Sequence, residues 1–341
     1  MTYAQAISQA TVLAMKENSN VMIMGLGVDD VNGIFGTTLE ARKRFGIDRV
    51  VGTPASENAM TGVAIGAALN GKRPIFVHAR NDFMFLALDQ IINNASKWKY
   101  VYGKNSNVPI VVRAIIGKGW GQGPTHSQSI QSMVVHFPGL YVAMPSTPYI
   151  AKGILLKSLE LDVPVIIFEH RRLYDFKQDV PTGKYTLDFG KAKVFKRGKD
   201  VTIVATSILV HQALRAARIV SKFGISVEVV DPVTISPLDE KTIISSVKKT
   251  GRLICVDTSW LRCGVASEIS AVVAEKAFEF LKAPIKRIAL PECPCPVSSR
   301  LEEFFYKDYQ DIVRECFQAV GKKMPANLLK KKEEDLFLGP Y

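Results

Sequence analysis

Two side chains stand where acid–base chemistry could be done, Glu57 and His126. Glu57 follows Thr53-Pro54, and the fixed φ and missing N–H of proline suit the entry to a helix. The spacing predicts a helix over 54–69 with Glu57 in or near its first turn. A carboxylate there is ordinarily a partner for the helix dipole, worth about 0.3–1 kcal/mol. The residues after it, Ala59, Met60, Val63, Ala64, Ala67 and Ala68 with Gly62 and Gly66, are small and apolar. Such a helix packs very close to its neighbour. His126 closes the loop Gly117–Gln128, where glycines at 117, 119, 121 and 123 let backbone approach a ligand closely. Loops after buried parallel strands are where α/β proteins hold ligands. A capping or core histidine and a functional one weigh evenly at this position.

Other chemistries lack their patterns. The chain has no Gly-x-Ser-x-Gly nucleophile turn, and its glycine loop is not followed by the Lys-Ser/Thr of a phosphate-binding loop. Gly25-Leu26-Gly27 lacks the third glycine of a dinucleotide fingerprint. Histidines 78, 126, 136, 170 and 211 show no metal-ligand spacing, and Cys293-Pro-Cys295 lacks the two-residue spacer of a zinc or redox pair. No metal ligand is expected. Five cysteines without paired spacing fit a reducing compartment. Met1-Thr2-Tyr3 leads into an amphipathic pattern rather than a basic segment and an apolar run, and no apolar stretch nears the roughly 20 residues of a spanning helix. A cytoplasmic protein with no membrane contact is expected. The net charge of +12 gathers partly in Lys196-Arg197-Gly198-Lys199, Lys248-Lys249 and Lys330-Lys331-Lys332. These runs are short and carry no interleaved aromatics, so solvated faces are expected and nucleic acid is not.

The elements that must position Glu57 and His126 read as alternating β-rich and helical runs. Helices are expected near 3–17, 38–45, 54–69, 83–100, from after the glycine loop to about 136, and 147–160, and strands near 21–24, 49–51, 74–77, 109–113, 140–143 and 163–168. The stretch 174–200 breaks the rhythm with Lys, Asp and Gly, and linker and edge structure are expected there. The alternation restarts at Val201 and runs to about 289. Short strands alternating with helices mark parallel, helix-covered sheets. The fold class is therefore α/β with two parallel-sheet domains. The expected boundaries are 1–178 for the first domain, 179–200 for a linker, 201–325 for the second domain and 326–341 for a charged tail.

Taken in order, several stretches resemble one family. They are Arg49-Val-Val-Gly-Thr-Pro-Ala-Ser-Glu57, Ala87-Leu-Asp-Gln-Ile-Ile-Asn-Asn-Ala-Ser-Lys97, Thr125-His-Ser-Gln128, His136-Phe-Pro-Gly-Leu140, Pro145-Ser-Thr-Pro148, Lys249-Thr-Gly-Arg252 and Ala266-Ser-Glu-Ile269. The chain is similar, over residues 1 to about 320, to the beta subunits of the thiamine diphosphate-dependent decarboxylating component of 2-oxo acid dehydrogenases, within the transketolase-like superfamily. The resemblance implies a pyrimidine-binding domain followed by a transketolase C-terminal domain. It implies that Glu57, by match to Thr-Pro-x-x-Glu, bonds the aminopyrimidine ring nitrogen of the cofactor and promotes loss of the thiazolium proton. It implies that Phe83 stacks on the aminopyrimidine, and that His126 faces the substrate side. The Gly-Asp-Gly and later Asn that hold the diphosphate and Mg²⁺ in this superfamily do not occur in this role here. The resemblance assigns that half to an alpha subunit, in an alpha2beta2 heterotetramer that docks on a lipoyl-carrier core.

The chain departs from the family pattern at several points. Gly25-Leu26-Gly27 stands for Gly-Glu-Asp, and Gly52 for the Asp before Thr-Pro. Arg80 and Asp82 charge the substrate-side loop, which makes Arg80 and Gln128 candidates for substrate contact. The expected function is a beta subunit of a 2-oxo acid dehydrogenase, inactive alone. A split transketolase or acyloin-type synthase passing a carbanion to an aldehyde or sugar is a second reading, because Arg80 and the basic surface suit a phosphorylated acceptor. A non-catalytic scaffold is a third.

Overall fold

The computed structural model describes residues 1–103, 105–117 and 121–329. Lys118–Trp120 of the glycine loop and the Lys330–Lys332 run lie outside the described residues. The described chain divides into two compact units. One holds residues 1–117, 125–189 and 234–237, and the other holds 121–124, 190–233 and 238–329.

The first unit opens with α1 (Tyr3–Glu17), whose Thr2 and Gln5 form a reciprocal capping box. Its strands are β1 (Val21–Gly25), β2 (Val50–Gly52), β3 (Arg73–His78), β4 (Val111–Ile116), β5 (Tyr141–Ala143) and β6 (Val165–His170). They lie in the order β5-β6-β4-β3-β1-β2, all parallel. Every residue of β4 and β6 is buried, as Val/Ile-rich runs covered on both faces should be. The connecting helices are α2 (Leu39–Phe45), α3 (Glu57–Leu69), α4 (Trp98–Tyr102), α5 (Gln131–Val135) and α6 (Pro148–Ser158). Thr147 caps α6 through Ile150 N, with Pro148 at the first helical position.

A buried ion pair pins the sheet. Arg113 Nε and Nη2 donate to Glu169 at 2.6 and 2.9 Å, and Tyr174 Oη donates to the same carboxylate at 2.7 Å. Burial alone would lower the Arg113 pKa, but the adjacent Glu169 outweighs it and raises the value. Arg113 Nη2 also donates to Thr37 Oγ1 at 3.1 Å, tying the loop after β1 to the middle of the sheet.

The second unit has β7 (Lys193–Lys196), β8 (Val201–Ala205) and β9 (Val227–Asp231), joined by α7 (Leu209–Ser221). The chain then adds β10 (Thr234–Ser236) to the first sheet, antiparallel to β5. Back in the second unit, α8 (Glu240–Thr250), β11 (Leu253–Trp260), α9 (Val265–Ala277), β12 (Lys286–Leu290), α10 (Ser299–Phe305) and α11 (Tyr309–Ala319) follow. The second sheet runs β12-β11-β8-β9-β7, parallel except for β7. Its core joins Ile203, Val229 and Val256 to Val210 and Ala217 of α7 and Ile312 and Phe317 of α11. Among the described residues no helix is long and apolar enough to cross a membrane.

Several local expectations are corrected. The helix expected from Pro54 starts at Glu57, with Ser56 at the cap position. Thr53 N still bonds Gly25 O at 3.1 Å, which prolongs the β1–β2 ladder, and Ser56 N turns back on Pro54 O at 2.8 Å. The helix expected over 83–100 is three pieces: a 3₁₀ stretch Asn81–Ala87, a π-helical turn Asp89–Ala95 and α4. Polar side chains there bond locally, Asn93 Nδ2 to Asp89 at 2.8 Å and Ser96 Oγ to Ile92 O at 2.7 Å, in competition with a regular helix. The stretch 174–200 contains β7, whose exposed and half-buried lysines hide its edge pairing.

Candidate active site

The carboxyl ends of the first sheet carry the chemistry. β3 ends at His78, and the next residues, Arg80 to Phe83, turn into the 3₁₀ stretch. β4 ends at Ile116, ahead of the glycine loop and His126. Gly25 ends β1 at φ +149°, where a Cβ would meet Val77 O at 2.5 Å, so only glycine fits the close approach of β1 to β3.

Phe83 and His126 come together. Their ring centroids are 5.2 Å apart, with the planes nearly perpendicular at 87°. Phe83 is 39% exposed, which leaves it accessible to a ligand. His126 Nδ1 lies 3.0 Å from Thr125 Oγ1, its one hydrogen-bond partner among the described residues, which leaves Nε2 for a ligand. Glu57 opens α3, half-buried, and its carboxylate makes no hydrogen bond or ion pair with another described residue. Its neighbour Asn58 donates to Leu86 O at 3.2 Å and accepts from Gln90 Nε2 at 3.3 Å. These bonds fix the first turn of α3 to the segment that carries Phe83. Gly62 lets Gln90 close in, since a Cβ there would stand 3.2 Å from Gln90 Oε1.

The two substrate-side candidates differ in setting. Gln128 donates from N and Nε2 to Asp82 Oδ1 at 3.1 and 3.0 Å, so its amide is already engaged inside the chain. Arg80 is 6% exposed and shares its surroundings with His170 and Arg171. Burial, then the charges of Arg172 and Arg80, push the His170 pKa down to about 3. Burial and then Arg80 bring Arg171 down to about 9. The Arg171 guanidinium lies 3.2 Å from the centroid of the Phe35 ring, a cation–π contact. Gly117, at φ +104°, leaves room for the His170 imidazole.

Sequence reasoning placed Asp82 on the substrate-side loop without a partner, and it did not single out Asn81, which bonds Gln128, or Arg171, which neighbours Arg80 and stacks on Phe35. The doublet Arg171-Arg172 directly after a buried strand was the available signal. An exposed aromatic ring, an unengaged carboxylate and an imidazole with one free nitrogen suit a planar nitrogen heterocycle, which stacks and donates one charge-assisted hydrogen bond from a protonated ring nitrogen to the carboxylate. They fit the aminopyrimidine half of thiamine diphosphate. Among the described residues no group of three or more His, Cys, Asp or Glu could hold a metal ion.

Comparison with known proteins gives a consistent picture. Residues 1–177 match the transketolase pyrimidine-binding domain and residues 190–312 match the transketolase C-terminal domain. The chain is 41% identical to the beta subunit of acetoin:2,6-dichlorophenolindophenol oxidoreductase of Cupriavidus necator, over 88% of this chain and 91% of that one. It is 40% identical to the protein of the same name from Bacillus subtilis, over 94% and 98%. It is 37% identical to the beta subunit of the B. subtilis pyruvate dehydrogenase E1 component, over 92% and 96%. In fold it is similar to a solved structure titled as a split-gene transketolase, an inactive beta4 tetramer, with TM-score 0.77, 23% identity and coverage of 95% and 99%.

Proposed function

Because the chain belongs to the transketolase-like family of beta subunits of thiamine diphosphate-dependent 2-oxo acid dehydrogenases, we propose that it supplies the aminopyrimidine-activating half of an active site completed by an alpha subunit. Thiamine diphosphate, when bound, supplies a thiazolium carbon whose deprotonated form attacks the carbonyl of a 2-oxo acid. Everything else falls to protein side chains. Phe83, partly exposed, stacks on the aminopyrimidine ring. Glu57 holds the ring nitrogen through a charge-assisted hydrogen bond, and a carboxylate with no partner in its own chain is suited to share that proton. His126 keeps Nδ1 on Thr125 and presents Nε2 to the substrate as a hydrogen-bond donor or proton carrier. Arg80 adds positive charge where the carboxylate of a 2-oxo acid would approach. The diphosphate and Mg²⁺ belong to the alpha subunit.

The observation that carries this reading is the 5.2 Å Phe83–His126 contact at the strand ends beside α3, in a chain 37–41% identical to known beta subunits. We read residues 1–178 and 201–325 as the two domains, with 179–200 between them. We further propose an alpha2beta2 assembly, a lipoyl-carrier partner and a cytoplasmic setting. Reconstitution with the cognate alpha subunit tests the core of the reading. The chain alone, given cofactor and 2-oxo acid, is expected to show no turnover, and the complex to show it. Glu57→Gln in that complex is expected to lower kcat by about 10²–10⁴-fold while cofactor binding persists. Turnover by the chain alone, or a Glu57→Gln complex as active as the parent, overturns it.

A further inference from the structure

We propose that Asp82 is the positioning residue that sets where His126 stands, acting as a clasp between the Phe83 segment and the His126 loop. The inference rests on the reading above, in which Phe83 and His126 flank the cofactor. Asp82 is 7% exposed. Its Oδ1 accepts two hydrogen bonds from one residue, Gln128 N at 3.1 Å and Gln128 Nε2 at 3.0 Å. Its Oδ2 accepts from Asn81 Nδ2 at 3.1 Å, and that amide also donates to Gln128 O at 2.9 Å. Asn81 Oδ1 in turn accepts from Ile130 N at 3.1 Å, just ahead of α5. Two adjacent side chains therefore engage the N–H, C=O and side-chain amide of Gln128 and the N–H of Ile130.

The placement gives this clasp its consequence. Asp82 immediately precedes Phe83 in the chain, and Gln128 lies two residues after His126. A rigid bond set from 81–82 to 128–130 fixes the distance between the aromatic platform and the imidazole. The ring of His126 has a single in-chain hydrogen bond of its own, so its place depends on the loop backbone. A displacement of about 1 Å at a reacting group is enough to lose about 10²-fold in rate. Gln128 becomes a part of the clasp rather than a substrate ligand.

The test uses the reconstituted complex with the alpha subunit. Asp82→Ala is expected to lower kcat about 10–100-fold with cofactor affinity held within about twofold. Asp82→Asn, whose amide oxygen still accepts both bonds from Gln128 while its amide nitrogen loses the Asn81 bond, is expected to recover part of that loss and to fall between Asp82→Ala and the parent. Gln128→Ala removes only the side-chain bond and is expected to give a smaller fall in kcat. An independent readout uses the full chain alone, labelled at histidine. The perpendicular Phe83 ring 5.2 Å away is expected to shift the His126 ring protons, and that ring-current shift is expected to collapse in Asp82→Ala and to be retained at least in part in Asp82→Asn. Unchanged kcat and an unchanged His126 signal in Asp82→Ala overturn the clasp, as does an Asp82→Asn variant as impaired as Asp82→Ala in both readouts. Failure of the unsubstituted complex to turn over any 2-oxo acid would instead count against the functional reading, and the histidine signal would still decide the clasp.

Discussion

Position 52 shows how a single residue change is absorbed. The family pattern has Asp before Thr-Pro, whereas this chain has Gly52. The space a Cβ would take at Gly52 is filled by the carboxylate of Asp29. A negative group thus still sits at the end of β2, but it comes from the loop after β1. Gly52→Asp would crowd two carboxylates into one place and is expected to lower the melting temperature by about 2–4 °C. Adding Asp29→Gly is expected to restore it, and thermal unfolding of the single and double variants measures both steps. The neighbouring catalytic candidates were legible in the sequence because Thr-Pro-x-x-Glu57 and Thr125-His126-Ser-Gln128 are short, contiguous matches. Asn81 and Asp82 were not, since their partners lie 46–49 positions further along the chain and only the folded sheet brings them together.

Among the elements, the loop after β1 holds the most strained backbone. Gly33, Ile34, Phe35 and Gly36 have φ of 36°, 41°, 56° and 82°, a left-handed turn closed by Gly36 N to Asn32 O at 2.8 Å. Ile34 and Phe35 there cost about 1–2 kcal/mol each relative to a right-handed conformation. The offset comes from packing. Ile34 is buried, Phe35 lies under Arg171 and against Tyr174 at 5.8 Å, and Thr38 Oγ1 donates to Val28 O at 2.6 Å. Phe35→Ala removes the stacking and keeps the strain. The amides of Gly36 and Thr38 are expected to exchange with solvent about tenfold faster in that variant, as read by native-state hydrogen exchange. No sequence pattern announces this turn, because its residues look like an ordinary Gly-flanked loop. The strand–helix alternation, by contrast, was read almost throughout, since buried Val/Ile runs such as 111–116 and 165–170 leave a periodicity that survives in one dimension. The edge strand β10 escaped, and β7 was legible only as unspecified edge structure within 174–200, because three or four residues paired on one side carry too little pattern.

For the whole molecule, two buried histidines set the acid limit of stability. Burial lowers His78 to about 3, and burial with the charges of Arg172 and Arg80 lowers His170 to about 3. Both values lie below the 6.5 of an unfolded histidine, so their contribution is complete above about pH 6.5 and is lost as pH falls toward 3. Two such groups are expected to remove about 3 kcal/mol of folding stability between pH 6.5 and 5. Urea unfolding at the two pH values measures it, and His78→Leu is expected to remove about half of the difference. Chain order adds a constraint of another kind. The first unit is not finished when the chain leaves it near residue 189, because 234–237 return as β10 to pair with β5. Any gene fission at the seam strips the larger sheet of an edge strand and bares β5, an invitation to aggregation. Splitting this polypeptide into separately encoded halves, or nicking it between 190 and 233, would therefore need the small strand carried back on its own piece of chain.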